Sequence, residues 1–209
     1  MVKNRELFDA ICAGNQEASG RIVKELLDSD VEPDEILQSS MITAMREMGE
    51  RFANEDVYVP ELLLAARAMQ AGLVILGPAL AESGHESLGK VAIGTVKGDL
   101  HDIGKNLVGT MLGGAGYIVE DLGVNCDIDK FANAVNNGAK VILCSALLTT
   151  TMPYMKEVID YFKKNNKDVK VVVGGAPVTQ EYADSINADG YGVDANMAVK
   201  AVDSICLSA

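Results

Sequence analysis

From residue 90 onward, short apolar runs alternate with helical patterns, and this alternation restricts the possible fold more than any other feature. Each run has the length of one buried strand, and each is followed by apolar residues at helical spacing. Such alternation is typical of a parallel sheet with helices on both faces. The predicted strands cover residues 90–96, 117–122, 140–144, 169–173 and 190–192, and the predicted helices cover residues 103–113, 128–137, 152–165, 178–186 and 195–206.

The first 80 residues show helical periodicity and no strand pattern. Asn4 and Asn15 are suitable N-caps for two helices, and Pro33 and Pro60 stand at the start of two longer ones. Four amphipathic helices with short connections predict a four-helix bundle. The small, polar stretch 81–89 is interpreted as a linker to the sheet.

The predicted domains are therefore a helical domain with its linker, residues 1–86, and an α/β domain, residues 87–209. We predict that the α/β domain is flavodoxin-like, with a five-stranded parallel sheet. His85 is interpreted as a linker side chain, because nothing around it supplies partners at the spacing of metal ligands.

The loop after the first predicted strand contains Asp99-x-His101-x-x-Gly104. Loops at the carboxyl ends of parallel strands form the ligand crevice of open α/β sheets, so the pattern indicates a binding site. The simpler reading is that Asp99 caps the following helix and that His101 is a solvated loop residue.

Two further strand ends favour the binding site. Ser145-Ala146-Leu147 follows the third predicted strand, and Gly174-Gly175 follows the fourth. If the strand order is 2-1-3-4-5, the first, third and fourth strands are neighbours and their loops converge. One large ligand would then explain all three features.

These three elements resemble the signature of cobalamin-binding proteins, Asp-x-His-x-x-Gly, Ser-x-Leu and Gly-Gly. The resemblance spans residues 88–209, and the helical segment extends it to almost the whole chain. In detail the chain resembles the small corrinoid proteins of multicomponent methyltransferase systems. Its helical segment resembles the cap that precedes the cobalamin domain in methionine synthase.

The resemblance implies a cobalt corrinoid, either cobalamin or a related compound, with His101 as the lower metal ligand. Neutral imidazole is a suitable ligand, and a carboxylate such as Asp99 on its other nitrogen would fix the tautomer. By resemblance, Ser145 joins this relay or contacts the nucleotide tail of the cofactor. For Thr149, contact with the tail and capping of the next helix stay equally open. The predicted cofactor-binding residues are Gly98, Asp99, His101, Asp102, Gly104, Ser145, Leu147, Thr149, Gly174 and Gly175, of which His101, Asp99 and Ser145 are the candidate catalytic residues.

Composition excludes several other classes of protein. The four cysteines are far apart, which argues against a zinc knuckle or a disulfide framework. The net charge of −12 makes nucleic acid an improbable partner. We expect no membrane span, because no apolar run approaches the roughly 18–20 residues that one requires. The expectation is a cytoplasmic protein.

The resemblance implies a methyl carrier that moves a methyl group on cobalt from a substrate:corrinoid methyltransferase to a methylcorrinoid:acceptor methyltransferase. The chain would be a carrier subunit, not a complete enzyme, and a reductive activase is a further expected partner. Three alternatives stay open: the cobalamin subunit of a radical isomerase, a cobalamin-dependent sensor or regulator, and a cofactor-free receiver-like domain.

Overall fold

The computed structural model describes residues 4–85, 87–165 and 168–207. Contacts divide the chain into two compact units. One contains Met1–Glu86 and Gly114–Gly116, and the other contains Ser87–Gly113 and Tyr117–Ala209. The domain boundary at residue 86, which itself lies outside the described residues, stays a prediction.

The described part of the first unit is helical, as the periodicity predicts. The predicted caps are confirmed, because Asn4 Oδ1 accepts from the Leu7 amide at 2.7 Å and Asn15 Oδ1 accepts from the Ala18 amide at 3.0 Å. The helices are α1 Arg5–Cys12, α2 Gln16–Asp28, α3 Pro33–Ile36, a π-helical segment Leu37–Ile42, α4 Thr43–Ala53 and α5 Val59–Glu82.

The π-helical segment joins α3 to α4 in one continuous rod, which corresponds to the third predicted helix. Two side chains bond to backbone carbonyls here: Ser39 Oγ donates to Glu35 O at 2.6 Å and Thr43 Oγ1 donates to Gln38 O at 3.0 Å. Such local bonds compete with the regular helical ladder and accompany its distortion. Apolar spacing alone did not predict this widened turn.

Helix α5 requires a correction to the expectation about membrane spans. It has 24 residues with a mean hydropathy of 1.6, so by length and composition it is apolar enough to cross a membrane. Its buried residues nevertheless recur every three or four positions, as in the core helix of a bundle: Leu62, Ala65, Ala68, Met69, Gly72, Leu76 and Leu80. At Gly72 a Cβ would lie 3.0 Å from Ser19 Oγ, so α2 and α5 pack closely there.

His85 lies just beyond α5, which continues to Glu82 and so enters the predicted linker. The His85 Nδ1 atom is 2.8 Å from Asp34 Oδ1. His85 is therefore a partner of α3 within the helical unit, rather than a free linker side chain.

The second unit confirms the predicted flavodoxin-like sheet. The strands are β1 Lys90–Thr95, β2 Ile118–Asp121, β3 Val141–Ser145, β4 Lys170–Gly174 and β5 Gly190–Gly192, all parallel in the order β2-β1-β3-β4-β5. They alternate with α6 Ile103–Gly114, α7 Ile128–Asn136, α8 Pro153–Asn165, α9 Gln180–Ser185 and α10 Ala195–Cys206.

The register of the sheet aligns the strand ends that precede the predicted binding loops. Thr95 pairs with Ser145, Ser145 with Gly174, and Gly174 with Gly192. These four residues therefore form one row across the carboxyl edge. Below it, strand residues such as Ile142 pack with Phe131 of α7 and Phe162 of α8 in a fully buried core. The core thus provides a rigid support for the loops.

Candidate cofactor-binding site

The Asp99–His101 pair lies on the loop between β1 and α6. Asp99 is completely buried, and its Oδ1 accepts from His101 Nδ1 at 2.7 Å and from the His101 amide at 3.1 Å. The His101 side chain is half exposed. With Nδ1 directed at Asp99, the Nε2 atom is the ring nitrogen left for a metal.

The second carboxylate oxygen of Asp99 is bound by the loop after β3. Its Oδ2 accepts from the Leu147 amide at 2.8 Å, the Leu148 amide at 3.2 Å and Thr151 Oγ1 at 2.8 Å. One buried carboxylate thus joins two loops. The capping interpretation of Asp99 fails, because its hydrogen bonds go to these loops and not to the first amides of α6.

These hydrogen bonds determine the charge of Asp99. Burial raises the pKa of a carboxyl group, but the bonds from His101, Leu147 and Thr151 outweigh it and hold the pKa of Asp99 well below its usual range. Asp99 is therefore ionised at neutral pH. An ionised acceptor fixes the Nδ1–H tautomer of His101 and increases the basicity of Nε2.

The hydrogen bonds to the Asp99 carboxylate in the described structure do not include one from Ser145. Ser145 lies at the end of β3, level with Thr95 and Gly174, and its carbonyl accepts from the Val96 amide at 3.0 Å. Among the described residues, the hydroxyl bonded to Asp99 belongs to Thr151. Thr151 was not among the predicted site residues, although it lies in the same threonine run as Thr149, which is exposed on the turn.

The glycine pair is required by the protein backbone. A Cβ at Gly175, which has φ of +128°, would lie 1.9 Å from Ala146 O, and one at Gly174 would lie 2.9 Å from Gly192 O. The resemblance implied that this pair binds the cofactor. The close approach of neighbouring backbone already accounts for both glycines.

Gly104 behaves differently, because a Cβ built there meets no atom within 4 Å. It is exposed at the start of α6, in the helical turn that follows His101. The surrounding protein therefore does not require glycine at this position, and the space beside it is open to a ligand.

These contrasting glycines give a testable pair of substitutions. Gly175→Ala should destabilise the apoprotein by about 3 kcal/mol or more, because it combines a backbone clash with an unfavourable φ. Gly104→Ala should leave stability unchanged or raise it by up to about 0.5 kcal/mol, yet weaken cobalamin binding. Urea unfolding and equilibrium binding measure the two effects. Unchanged cobalamin affinity in Gly104→Ala would show that this space is not used.

The other side of the His101 loop is held by the loop after β2. Asn125, which has a left-handed φ of 51°, donates its amide to Asp99 O at 3.0 Å, and its Oδ1 accepts from the Gly98 amide at 2.8 Å. These contacts position the backbone before His101. Asn125 carried no motif signal, although asparagine tolerates this conformation better than most residues.

Lys105, at the start of α6, forms a second connection between the segment around His101 and the end of β2. Its ammonium, 1% exposed, lies 2.6 Å and 2.7 Å from the two carboxylate oxygens of Asp121 and 2.6 Å from Asn106 Oδ1. Burial raises the pKa of Asp121, but the bonds from Lys105 and the Gly123 amide outweigh it and lower the pKa. A buried lysine at the start of α6 thus connects this helix to the end of β2.

The surroundings of His101 are suitable for a large, flat, largely apolar ligand. Leu100 and Ile103 flank His101 in sequence and are 71% and 82% exposed, which is unusual for such side chains, while Leu147 and Leu148 are exposed on the β3 loop. Asp102, also exposed, accepts from Asn106 Nδ2 at 3.2 Å.

Among the described residues, no group of three or more His, Cys, Asp or Glu side chains could hold a metal ion. A corrin fits these features, because its ring supplies the other nitrogens and needs only an axial ligand from protein.

A buried carboxylate paired with a half-exposed imidazole lies at the carboxyl edge of the parallel sheet, beside exposed apolar side chains. This arrangement is typical of a cofactor-binding α/β protein. Models of the B12 binding domain match residues 89–200 and residues 4–76. The chain is 40% identical over 206 residues to a corrinoid protein of Desulfitobacterium hafniense (strain Y51), covering 96% of this chain and 95% of that one.

Two further comparisons cover nearly all of the chain. It is 39% identical to the trimethylamine corrinoid protein of Methanosarcina barkeri, over 93% of this chain and 92% of that one. A solved chain of the methanol:cobalamin methyltransferase complex from Methanosarcina barkeri matches with a TM-score of 0.85 at 26% identity, covering 98% of this chain and 79% of that one. The chain belongs to the corrinoid protein family with B12 binding domains, and its cofactor is cobalamin or a related corrinoid.

Proposed function

We propose that this protein carries a methyl group on corrinoid cobalt between two methyltransferases, with His101 as the lower cobalt ligand. The observation that carries the proposal is the half-exposed imidazole whose Nδ1 is held by a buried, ionised Asp99. When bound, the corrinoid supplies the cobalt that accepts and releases the methyl group. The chain is then a carrier subunit of a methyltransferase system and not a complete enzyme.

The protein residues orient and tune the cofactor in this proposal. His101 Nε2 would bind the cobalt, while the bond from Nδ1 to Asp99 Oδ1 keeps the ring in place. Leu100 and Ile103 would contact the apolar ring, and Gly104 would leave room for the nucleotide tail. The hydrogen bonds that join the two flanking loops to the Gly98 amide and to the Asp99 carboxylate limit movement of His101 during repeated transfers.

The partners are proposed from the related proteins. The similarity to a chain of a methanol:cobalamin methyltransferase complex supports a substrate-specific methyltransferase as the loading partner. Relatives named as trimethylamine and dimethylamine corrinoid proteins favour a methyl carrier over a radical isomerase subunit or a sensor. We further propose an acceptor methyltransferase, a reductive activase and a cytoplasmic location.

The proposed function can be tested with purified holoprotein. The cobalamin-loaded protein is reduced with titanium(III) citrate and mixed with a methanol, dimethylamine or trimethylamine methyltransferase and its ¹³C-labelled substrate. The proposal predicts substrate-dependent methylation of the bound cobalamin by one of these enzymes, seen in visible spectra and by ¹³C NMR, and a much slower reaction in His101→Ala. Methylation of bound cobalamin in His101→Ala at the wild-type rate would contradict the role of His101.

A further inference from the structure

Asp102 directly follows His101 and directly precedes α6, which is the usual position of a helix-capping residue. In the described part of the chain, however, its side chain accepts one hydrogen bond, at Oδ2 from Asn106 Nδ2, and none from the first amides of α6. The side chain is exposed, and its Oδ1 atom has no donor among the described residues. Capping therefore does not account for this carboxylate.

The buried ammonium of Lys105 determines the orientation of the Asn106 amide. An ammonium donates hydrogen bonds and accepts none, so the Asn106 atom that lies 2.6 Å from Lys105 Nζ must be the carbonyl oxygen Oδ1. The other bonds of this ammonium go to the carboxylate oxygens of Asp121. A rotated Asn106 amide would direct its own N–H groups at a buried positive charge. The Asn106 Nδ2 atom is thus held toward Asp102.

This arrangement makes Asp102 Oδ1 a fixed acceptor beside His101. The bond at Oδ2 restricts rotation of the planar carboxylate, so Oδ1 is directed away from Asn106. A corrin centred on His101 Nε2 is wider than one residue, so the exposed side chains next to His101 in sequence would lie near its rim. That rim carries carboxamide groups, whose N–H groups are donors. Among the exposed neighbours Leu100, Asp102 and Ile103, Asp102 has the side chain that can accept from them.

We propose that Asp102 is a specificity-determining residue that accepts a hydrogen bond from one ring carboxamide of the corrinoid, and that Lys105 and Asn106 position it for this contact. A carboxylate accepts strongly from an amide N–H but repels a second carboxylate. The site therefore distinguishes the amidated ring from a ring in which that amide is hydrolysed to the acid. This inference rests on the proposed binding of cobalt by His101.

The test compares cobalamin with its isomeric monocarboxylic acids, each of which has one ring amide hydrolysed to a carboxylate. Equilibrium dialysis with the full-length apoprotein gives each dissociation constant. Wild type should bind one isomer at least about tenfold more weakly than cobalamin, because that isomer loses the donor and brings like charges together. Asp102→Asn should bind this isomer and cobalamin within about threefold of each other, because the asparagine amide can donate to the ligand carboxylate.

Two further variants separate the contact from general effects of charge. Asp129→Asn removes an equivalent exposed carboxylate, in the first turn of α7, and should keep the wild-type ratio between the two dissociation constants. Asn106→Ala keeps Asp102 but frees it to rotate. The ratio should then fall by about threefold, which corresponds to the cost of ordering one side chain.

Wild-type protein that binds cobalamin and every monocarboxylic acid equally well would overturn the inference, and so would an unchanged ratio in Asp102→Asn. An unchanged ratio in Asn106→Ala would overturn the positioning role of Lys105 and Asn106. These readouts need no methyl transfer, so they are separate from the test of the proposed function. If the ratio depends on Asp102 but wild-type Co(II) shows no histidine coupling, the proposed function fails instead.

Discussion

Asp99→Asn is expected to destabilise the apoprotein by about 2–4 kcal/mol, although the two side chains have nearly the same shape. Asp99 accepts five hydrogen bonds, two at Oδ1 from His101 and three at Oδ2 from Leu147, Leu148 and Thr151. Either orientation of an asparagine amide directs its own N–H groups at donors in a fully buried position. In one orientation the three donors at Oδ2 would lose their acceptor; in the other, the His101 amide would lose its acceptor and the His101 ring would have to change tautomer.

Urea unfolding of the apoprotein measures this effect. Asp102→Asn is the matched control, because Asp102 is exposed and, within the described part of the chain, its side chain accepts one hydrogen bond, from Asn106 Nδ2 at 3.2 Å. Its unfolding free energy should change by less than about 0.5 kcal/mol. A loss below about 0.5 kcal/mol in Asp99→Asn would contradict this account, because it would show that the five hydrogen bonds contribute little to stability.

The Lys105–Asp121 pair should respond unequally to loss of each partner. Asp121→Ala leaves a buried ammonium with Asn106 as its remaining partner, which should cost about 3–5 kcal/mol. Lys105→Met leaves a carboxylate that is 51% exposed and can be hydrated, so it should cost only about 1–2 kcal/mol.

The double variant provides the decisive comparison for this pair. Adding Lys105→Met to Asp121→Ala removes the unpaired charge, so the double variant should be more stable than Asp121→Ala alone. Urea unfolding of the apoproteins measures all three values. Asp160→Ala is the control, because its pair with Lys156 is exposed and should contribute less than about 1 kcal/mol. A double variant no more stable than Asp121→Ala would contradict this account.

Regular features of the sequence predicted the fold well. Alternating apolar runs predict the parallel sheet because each buried strand requires such a run, and the carboxyl-edge rule then groups the loops that follow β1, β3 and β4. The spacing of Asp99 and His101 placed them on one loop, where the structure finds them hydrogen-bonded. The apolar runs and the spacing of Asp99 and His101 involve residues close together in the chain, so they can be recognised in a single sequence.

The contacts that the sequence did not reveal join residues far apart in the chain. Thr151 and Asp99 are separated by 52 positions, and selecting Thr151 over Ser145 depends on the turn geometry after β3. Asn125 and the Lys105–Asp121 pair likewise connect separate loops. The need for glycine at 175 arises from Ala146 O, which lies on the neighbouring loop. Such requirements appear only when the sheet register is known.

The central claim, that His101 binds the cobalt, is tested most directly by isotope labelling. The chain has two histidines, so a His85→Gln background leaves His101 as the one source of histidine nitrogen. This protein is labelled with ¹⁵N-histidine and loaded with unlabelled cobalamin, and the Co(II) state is recorded by paramagnetic resonance. The account predicts that the nitrogen splitting changes from the triplet of ¹⁴N in unlabelled protein to the doublet of ¹⁵N. A triplet that persists after labelling would mean that the cofactor's own base binds the cobalt, and would contradict the claim.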